Sequence, residues 1–285
     1  SNTFAMVYIA FEPLQSENNP AEQCVYLTGN SLGLPAKKSE QYMEEEMEKW
    51  KRVGVMGHTS GDRPWLTIDD EPTRLMATVV GALPSEVALM ASLTANLHLL
   101  MVPFYKPTAT RFKILIENGA FPSDLYATES QALVHGLNPA ETVVRLSPRA
   151  GERLLRTEDI IETIKSTSFA LVLLPGIQYE TGQCLDMAAI TAAAHASGAV
   201  VGFDLAHAAG NVLLKLHDWN VDFAAWCSYK YLNSGPGGIG GLFFHERHHA
   251  NPTLHKFSGW WGHQLSSRFQ MKHEFSPILG AFAFR

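Results

Sequence analysis

The stretch SGAVVGFDLAHAAGNVLLKLHDWNVDFAAWCSYKYLNSGPGGIGGLFFH, residues 197–245, limits the possible folds of this chain more than any other. Within it, Ala199 to Leu205 runs apolar until Asp204 near its carboxyl end, the pattern of a strand buried on both faces. A second apolar run, Phe223 to Tyr229, closes on a lone charge, Lys230. Phe169 to Leu174 is a third such run, and the alanine-rich helical stretch Asp186 to Ser197 separates it from the first. Buried strands alternating with helices specify an α/β fold with a mostly parallel sheet, sandwiched by helices on both faces. In open sheets of this kind functional groups collect beyond the carboxyl ends of the strands, so Asp204 and Lys230 are expected to face one pocket.

The remaining pattern agrees with this class. Glu86 to Met90, Arg111 to Glu117, Thr142 to Leu146 and Gly241 to His245 read as further strands. Asp69 to Val80, Tyr126 to Leu133 and Thr157 to Ser166 read as helices, and Thr94 can cap another that continues through Leu97, Leu100 and Met101. Lys37 to Val53 carries Tyr42, Met43, Met47 and Trp50 at helical spacing among charges, which predicts a surface helix whose stripe joins the core. At 285 residues the chain can bury a sizeable core. The net charge of -6 argues against a nucleic-acid footprint, and no run is long enough to cross a bilayer. With no cationic start of a secretory signal, a cytoplasmic protein is the expectation. Cys24, Cys184 and Cys227 are too widely spaced for zinc ligation or a disulfide framework. His245, His248, His249 and His255 surround Arg247, with Glu246 the sole nearby acid, and read as a solvated turn with no metal.

An acid and an amine at two strand ends suit pyridoxal phosphate. A lysine holds the aldehyde as a Schiff base, and an acid facing the pyridine nitrogen keeps it protonated as an electron sink. Asp204 and Lys230 have these chemistries, and Asn233 to Gly238 forms a glycine-rich turn that lets backbone approach a ligand. A buried salt bridge, or two unrelated loop charges, explains the pair better when it is taken in isolation, and only further motifs overturn that reading. The segment Ser92 to His98 offers free amide donors at a helix start, which suit a phosphate and would also suit an ordinary capped helix.

GFDLAH at 202–207 and CSYKYLNSGPGG at 227–238 resemble kynureninase, a fold type I pyridoxal phosphate enzyme. GNSLGL at 29–34, LTANLHLLM at 93–101, FPSD at 121–124 and GWWGH at 259–263 extend the likeness along most of the chain. The resemblance implies hydrolysis of kynurenine or 3-hydroxykynurenine to an anthranilate and alanine, in tryptophan catabolism and NAD biosynthesis, by a homodimer. It assigns Lys230, Asp204 and Tyr229 to catalysis. Leu93, Thr94, Phe121, Pro122, Ser123, Asp124, His207 and Trp260 join those three in holding the cofactor, with Phe121 flat on the pyridine face and Trp260 near the phosphate. Ser31, His58 and His263 fall to the substrate. A hydroxyl stands in some relatives where this chain has Pro175.

The same resemblance divides the chain into an N-terminal segment, 1–60, that contributes to the substrate site, and a pyridoxal-phosphate domain, 61–285. The smaller C-terminal domain, with the arginine expected to clamp the substrate carboxylate, lies beyond Arg285, so this segment alone is expected to turn over poorly or not at all. Two alternatives stand beside it: another fold type I enzyme, such as a cysteine desulfurase or aminotransferase, and a silent cofactor-binding protein.

Overall fold

The computed structural model describes residues 14–15, 19 and 21–285, and these fall into two compact units. The first holds the described residues through Glu71 together with Ser228–Gly238; the second holds Pro72–Cys227 and Ile239–Arg285. Eight α-helices are described: α1 (Lys38–Val53), α2 (Asp70–Val80), α3 (Leu93–Phe104), α4 (Pro122–Val134), α5 (Pro139–Thr142), α6 (Thr157–Ser166), α7 (Met187–Ala196) and α8 (Leu265–Arg268).

The second unit is built on one seven-stranded sheet: β1 (Val87–Leu89), β2 (Lys113–Glu117), β3 (Val143–Leu146), β4 (Phe169–Pro175), β5 (Val200–Asp204), β6 (Phe223–Trp226) and β7 (Gly241–Phe244). The strand order is β1-β7-β6-β5-β4-β2-β3. β6 to β3 run parallel, while β7 is antiparallel to both β6 and β1. A helix such as α7 returns the chain between β4 and β5, and a parallel pair requires such a crossover. Asp186 caps α7 by accepting from the Ala189 amide at 3.0 Å, and Gly198 ends it at φ +73°, a conformation that L side chains rarely adopt.

Packing follows the apolar pattern. Leu97, Leu100, Met101 and Phe104 of α3 lie in one core with alternate residues of the central strands, among them Ile114, Leu171, Phe223 and Phe244. Phe104 stacks on Phe223 with centroids 5.1 Å apart. Because β4, β5 and β6 are buried along almost their whole length, their carboxyl ends become the place where polar groups can emerge.

In the first unit, α1 buries none of its residues. Tyr42, Met43, Met47 and Trp50, expected in a core, are exposed. Met43, Met47 and Trp50 line an open apolar groove of about 330 Å³ with Trp65, while ion pairs such as Arg63 to Glu45 at 2.6 Å hold the charged side. The periodicity marked the amphipathic face correctly, but this unit is too small to surround it. Among the described residues, no helix is long and apolar enough to cross a membrane.

Candidate active site

In the second unit, two helix starts converge. Ser92 caps α3 by accepting from the Ala95 amide at 3.3 Å, and Pro122 opens α4, where proline's missing N–H costs nothing. The Thr94 hydroxyl of α3 meets the Ser123 hydroxyl of α4 at 2.5 Å. Both hydroxyls therefore lie in the first turns of helices, where the backbone dipole favours negative charge. Behind them, Gly240 is pressed so close that a Cβ there would sit 2.6 Å from the Trp226 carbonyl oxygen and 3.4 Å from the Leu93 amide nitrogen. Phe121 immediately precedes α4, half exposed and edge-on to Tyr179 at 5.3 Å. Asp124 is buried in the first turn of α4.

Asp204 is the last residue of β5, buried, and its Oδ1 accepts from the Ala206 amide at 2.7 Å. This bond turns the chain directly after the strand and holds the carboxylate at the sheet's end. Pro175, paired with Asp204 in the register of β4 and β5, closes the neighbouring strand. His207 follows half-buried, its carbonyl accepting from Asn211.

A second buried carboxyl, absent from the sequence reading of the site, ends β2. Glu117 is held at the sheet's carboxyl edge with Gln178, whose amide also donates to the Gly119 carbonyl at 3.3 Å. Burial pushes its carboxyl up to about 7, against the hydrogen bond from Gln178 and with help from the negative charges of Asp204 and Glu180. The signal was the one used for Asp204, a single charge closing an apolar strand.

Trp260 and His263 lie in the closing segment of this unit. The Trp260 indole N–H donates to the Arg268 carbonyl at 3.1 Å. His263 is buried, bonded through Nε2 to the Ser267 hydroxyl at 2.9 Å and accepting at Nδ1 from the Ser276 amide at 3.2 Å. Both are thus engaged by their own segment.

In the first unit, the lysine segment and the GNSLGL loop are tied together. The Gly33 amide donates to the Tyr229 carbonyl at 2.8 Å, and the Asn233 side chain donates to the Leu34 carbonyl at 3.1 Å. A Cβ on Gly33 would lie 2.2 Å from the Lys230 carbonyl oxygen, so only glycine permits this approach. Lys230 lines a cavity of about 450 Å³ with Tyr26, Asn30 and Asn233, and its Nζ sits 6.0 Å from the Tyr229 ring centroid. Ser31 is exposed on the same loop. His58 lies elsewhere in the unit, edge-on to Trp65 at 5.4 Å. The strand expected to reach Tyr229 stops at Trp226, because the polar Ser228 and the turn that bonds Ser234 back to the Ser228 carbonyl end the ladder.

The histidine group is no solvated turn. His245 is buried, and Arg247 and His248 both bind the buried Asp222, which also takes the Val201 amide and His195. Burial alone would raise the Asp222 carboxyl; the bonds from His195 and His248 and the Arg247 charge outweigh it and hold it far below the usual carboxylate range. Among the described residues, Glu86, His217 and His245 are the one trio of possible metal ligands. Within it Glu86 accepts from His217 at 2.9 Å and from the Glu246 and Leu83 amides at 2.8 Å, and His245 Nδ1 accepts from the Arg247 amide.

The donor set around α3 and α4 suits a phosphate, and the carboxylate that ends β5 suits a protonated ring nitrogen, so the residues present fit pyridoxal phosphate. A family model described as Aminotransferase class-V matches residues 123–266, about half the chain. The chain belongs to this family. Among curated proteins similar to this class-V chain is the kynureninase of Salinispora tropica, 55% identical over 266 residues, covering 93% of the chain and 62% of the relative. The kynureninase of Homo sapiens is 52% identical over 269 residues, covering 94% and 58%. The class-V chain therefore spans about three fifths of the length of these relatives. Among solved structures, the apo cysteine desulfurase of Thermococcus onnurineus NA1 is similar at a TM-score of 0.69 and 20% identity, covering 91% of this chain and 62% of that one. A C-DES mutant with glycine covalently linked to its PLP cofactor reaches a TM-score of 0.72 at 17% identity, covering 90% and 65%. These two likenesses are of fold: both are fold type I enzymes in architecture, as is the present chain.

Proposed function

We propose that the protein of which this chain forms part is a kynureninase, hydrolysing L-kynurenine or 3-hydroxy-L-kynurenine to an anthranilate and L-alanine with pyridoxal 5'-phosphate. The observation that carries the reading is the level of identity to kynureninases, above 50% along nine tenths of the chain, against 20% or less to the cysteine desulfurase and C-DES structures. The bonds tying the GNSLGL loop to the lysine segment favour it too, since they bring a substrate-side hydroxyl, Ser31, onto the element that carries the reacting amine.

Bound here, the cofactor supplies an electron sink for charge developing at the substrate's α carbon. The Leu93 and Thr94 amides, with the Thr94 and Ser123 hydroxyls, hold the phosphate; Phe121, beside Pro122 and Asp124, covers the ring face. Trp260 reaches the phosphate by giving up its bond to the Arg268 carbonyl. Asp204 keeps the proton on the pyridine nitrogen, and His207 supports that carboxylate. Lys230 Nζ would hold the aldehyde carbon and would carry the proton at the substrate's α carbon, with the Tyr229 hydroxyl as its acid–base partner. Ser31, His58 and His263 position the substrate, whose side-chain ketone takes up water before the adjoining carbon–carbon bond breaks. Residues 1–60 serve the substrate site and 61–285 the cofactor. The assembly is a cytoplasmic homodimer.

The test is anthranilate fluorescence after addition of kynurenine, run on this chain and on the chain extended to the length of its relatives. Signal from the extended protein, lost in Lys230→Ala together with the yellow absorbance of the bound cofactor, is the expected result. Persistence of that absorbance in Lys230→Ala would refute the assignment of the amine.

A further inference from the structure

Lys256 stands apart from everything assigned above. Its Nζ lies 5.0 Å from the Phe244 ring centroid and 5.8 Å from that of Phe284, and the side chain is half-buried. Among the described residues no carboxylate or hydrogen-bond acceptor reaches this ammonium. Two ring faces compensate part of the lost hydration of a lysine, but they offer its N–H groups no acceptor. The amine also lines a cavity of about 320 Å³, the lower end of the range for small-ligand sites. Phe275, Pro277 and Leu279 make part of its lining apolar, and no acid lines the cavity. Phe275 and Leu279 are exposed, so this apolar surface is open to an incoming molecule. His249 and His255 complete the rim.

We propose that this cavity binds a small carboxylate with an apolar or aromatic body, the carboxylate accepting from Lys256 and the body lying on Phe275, Pro277 and Leu279. A charge-assisted bond supplies the acceptor that the ammonium lacks, and the apolar wall selects an organic acid over inorganic phosphate. Burial holds the Lys256 amine below its usual value, and a bound carboxylate raises it again. A bound carboxylate therefore favours the charged amine, and binding weakens once the pH rises far enough to remove that amine's proton. His249 does not compete for the carboxylate, because burial keeps it neutral and its Nε2–H is given to the Phe244 carbonyl at 3.0 Å.

The experiment reads the amine itself. Lysine acylation by an N-hydroxysuccinimide ester is followed peptide by peptide by mass spectrometry, with and without 4-fluorobenzoate, and with inorganic phosphate as a parallel arm. Saturating fluorobenzoate should slow labelling of Lys256 by roughly tenfold while leaving exposed lysines unchanged, as mass action on one site requires. Broadening of the fluorobenzoate ¹⁹F line should persist in Lys256→Arg and vanish in Lys256→Met, with circular dichroism showing both variants folded. Unchanged labelling of Lys256, or equal protection by inorganic phosphate, would overturn the proposal. Because the readout is at residue 256, the outcome is independent of whether the lysine segment holds a cofactor.

Discussion

Replacing Glu117 with glutamine should make the protein more stable above neutral pH, because burial at the end of β2 disfavours the charge that it removes. The carboxyl at the end of β2 rises from 4.5 to about 7 in the folded state, chiefly through burial, and it is nearly inaccessible at 4% exposure. An acid whose folded value is raised binds its proton more tightly in the native state than in the unfolded one, so stability falls as the pH climbs between those two values. At 1.36 kcal/mol per unit, the difference amounts to about 3 kcal/mol, fully present as a penalty above pH 7 and absent below the unfolded value. Glutamine is close to the protonated carboxyl in shape and stays neutral, so Glu117→Gln should lie within about 1 kcal/mol of the parent at pH 5 and exceed it at pH 8 by about 2 to 3 kcal/mol. Urea unfolding followed by tryptophan fluorescence at pH 5, 6, 7 and 8 measures this directly. Parallel curves for the two proteins across that range would refute the reasoning, since they would mean that the group ionises as freely in the sheet as in the unfolded chain.

Two other substitutions in the same unit have defined outcomes. Asp222→Ala leaves the Val201 amide and the Arg247 guanidinium without their buried acceptor, which should cost about 3 to 5 kcal/mol in urea unfolding at pH 7. Because the Asp222 carboxyl is depressed, its contribution is present above the unfolded value and fades as the pH falls through the folded one, so the deficit should shrink in strong acid. Gly202→Ala places a Cβ 2.2 Å from the Phe223 ring, which is wedged against Phe104, and overpacking of this kind should cost at least ~1 to 3 kcal/mol, read as a lower Tm.

The parts of the fold that could be read from the chain are those where one residue's environment is set by its near neighbours. The uninterrupted apolar runs at Phe169, Ala199 and Phe223 read as buried strands by their length and β-branched and aromatic content, and β4, β5 and β6 occur there. Their edges moved by a residue or two, as hydrogen bonding and not hydropathy sets the last rung of a ladder. What the pattern could not convey was the partner of each polar group. Asp222 looks like an ordinary loop acid beside Asn220, yet it is the buried acceptor for groups from β5, α7 and the turn after β7. Glu86 likewise gathers His217 and the Glu246 amide from segments more than a hundred residues away. Only the folded sheet brings such distant positions together.

Glu117 and Asp204 show why a lone charge at a strand end locates a site without defining a role. Both close apolar strands and both are buried. Asp204 Oδ1 accepts the amide of Ala206, two residues on. Glu117 has Gln178 as its donor and two like charges, Asp204 and Glu180, near enough to disfavour ionisation. Two carboxyls at one edge of a sheet therefore differ in their surroundings: one accepts a local amide, and the one beside it is held toward its protonated form, sparing the edge a second negative charge. A cation placed opposite Asp204 would lower the Glu117 value as well, so cofactor binding and proton release at residue 117 are linked by the same electrostatics that the Glu117→Gln titration measures.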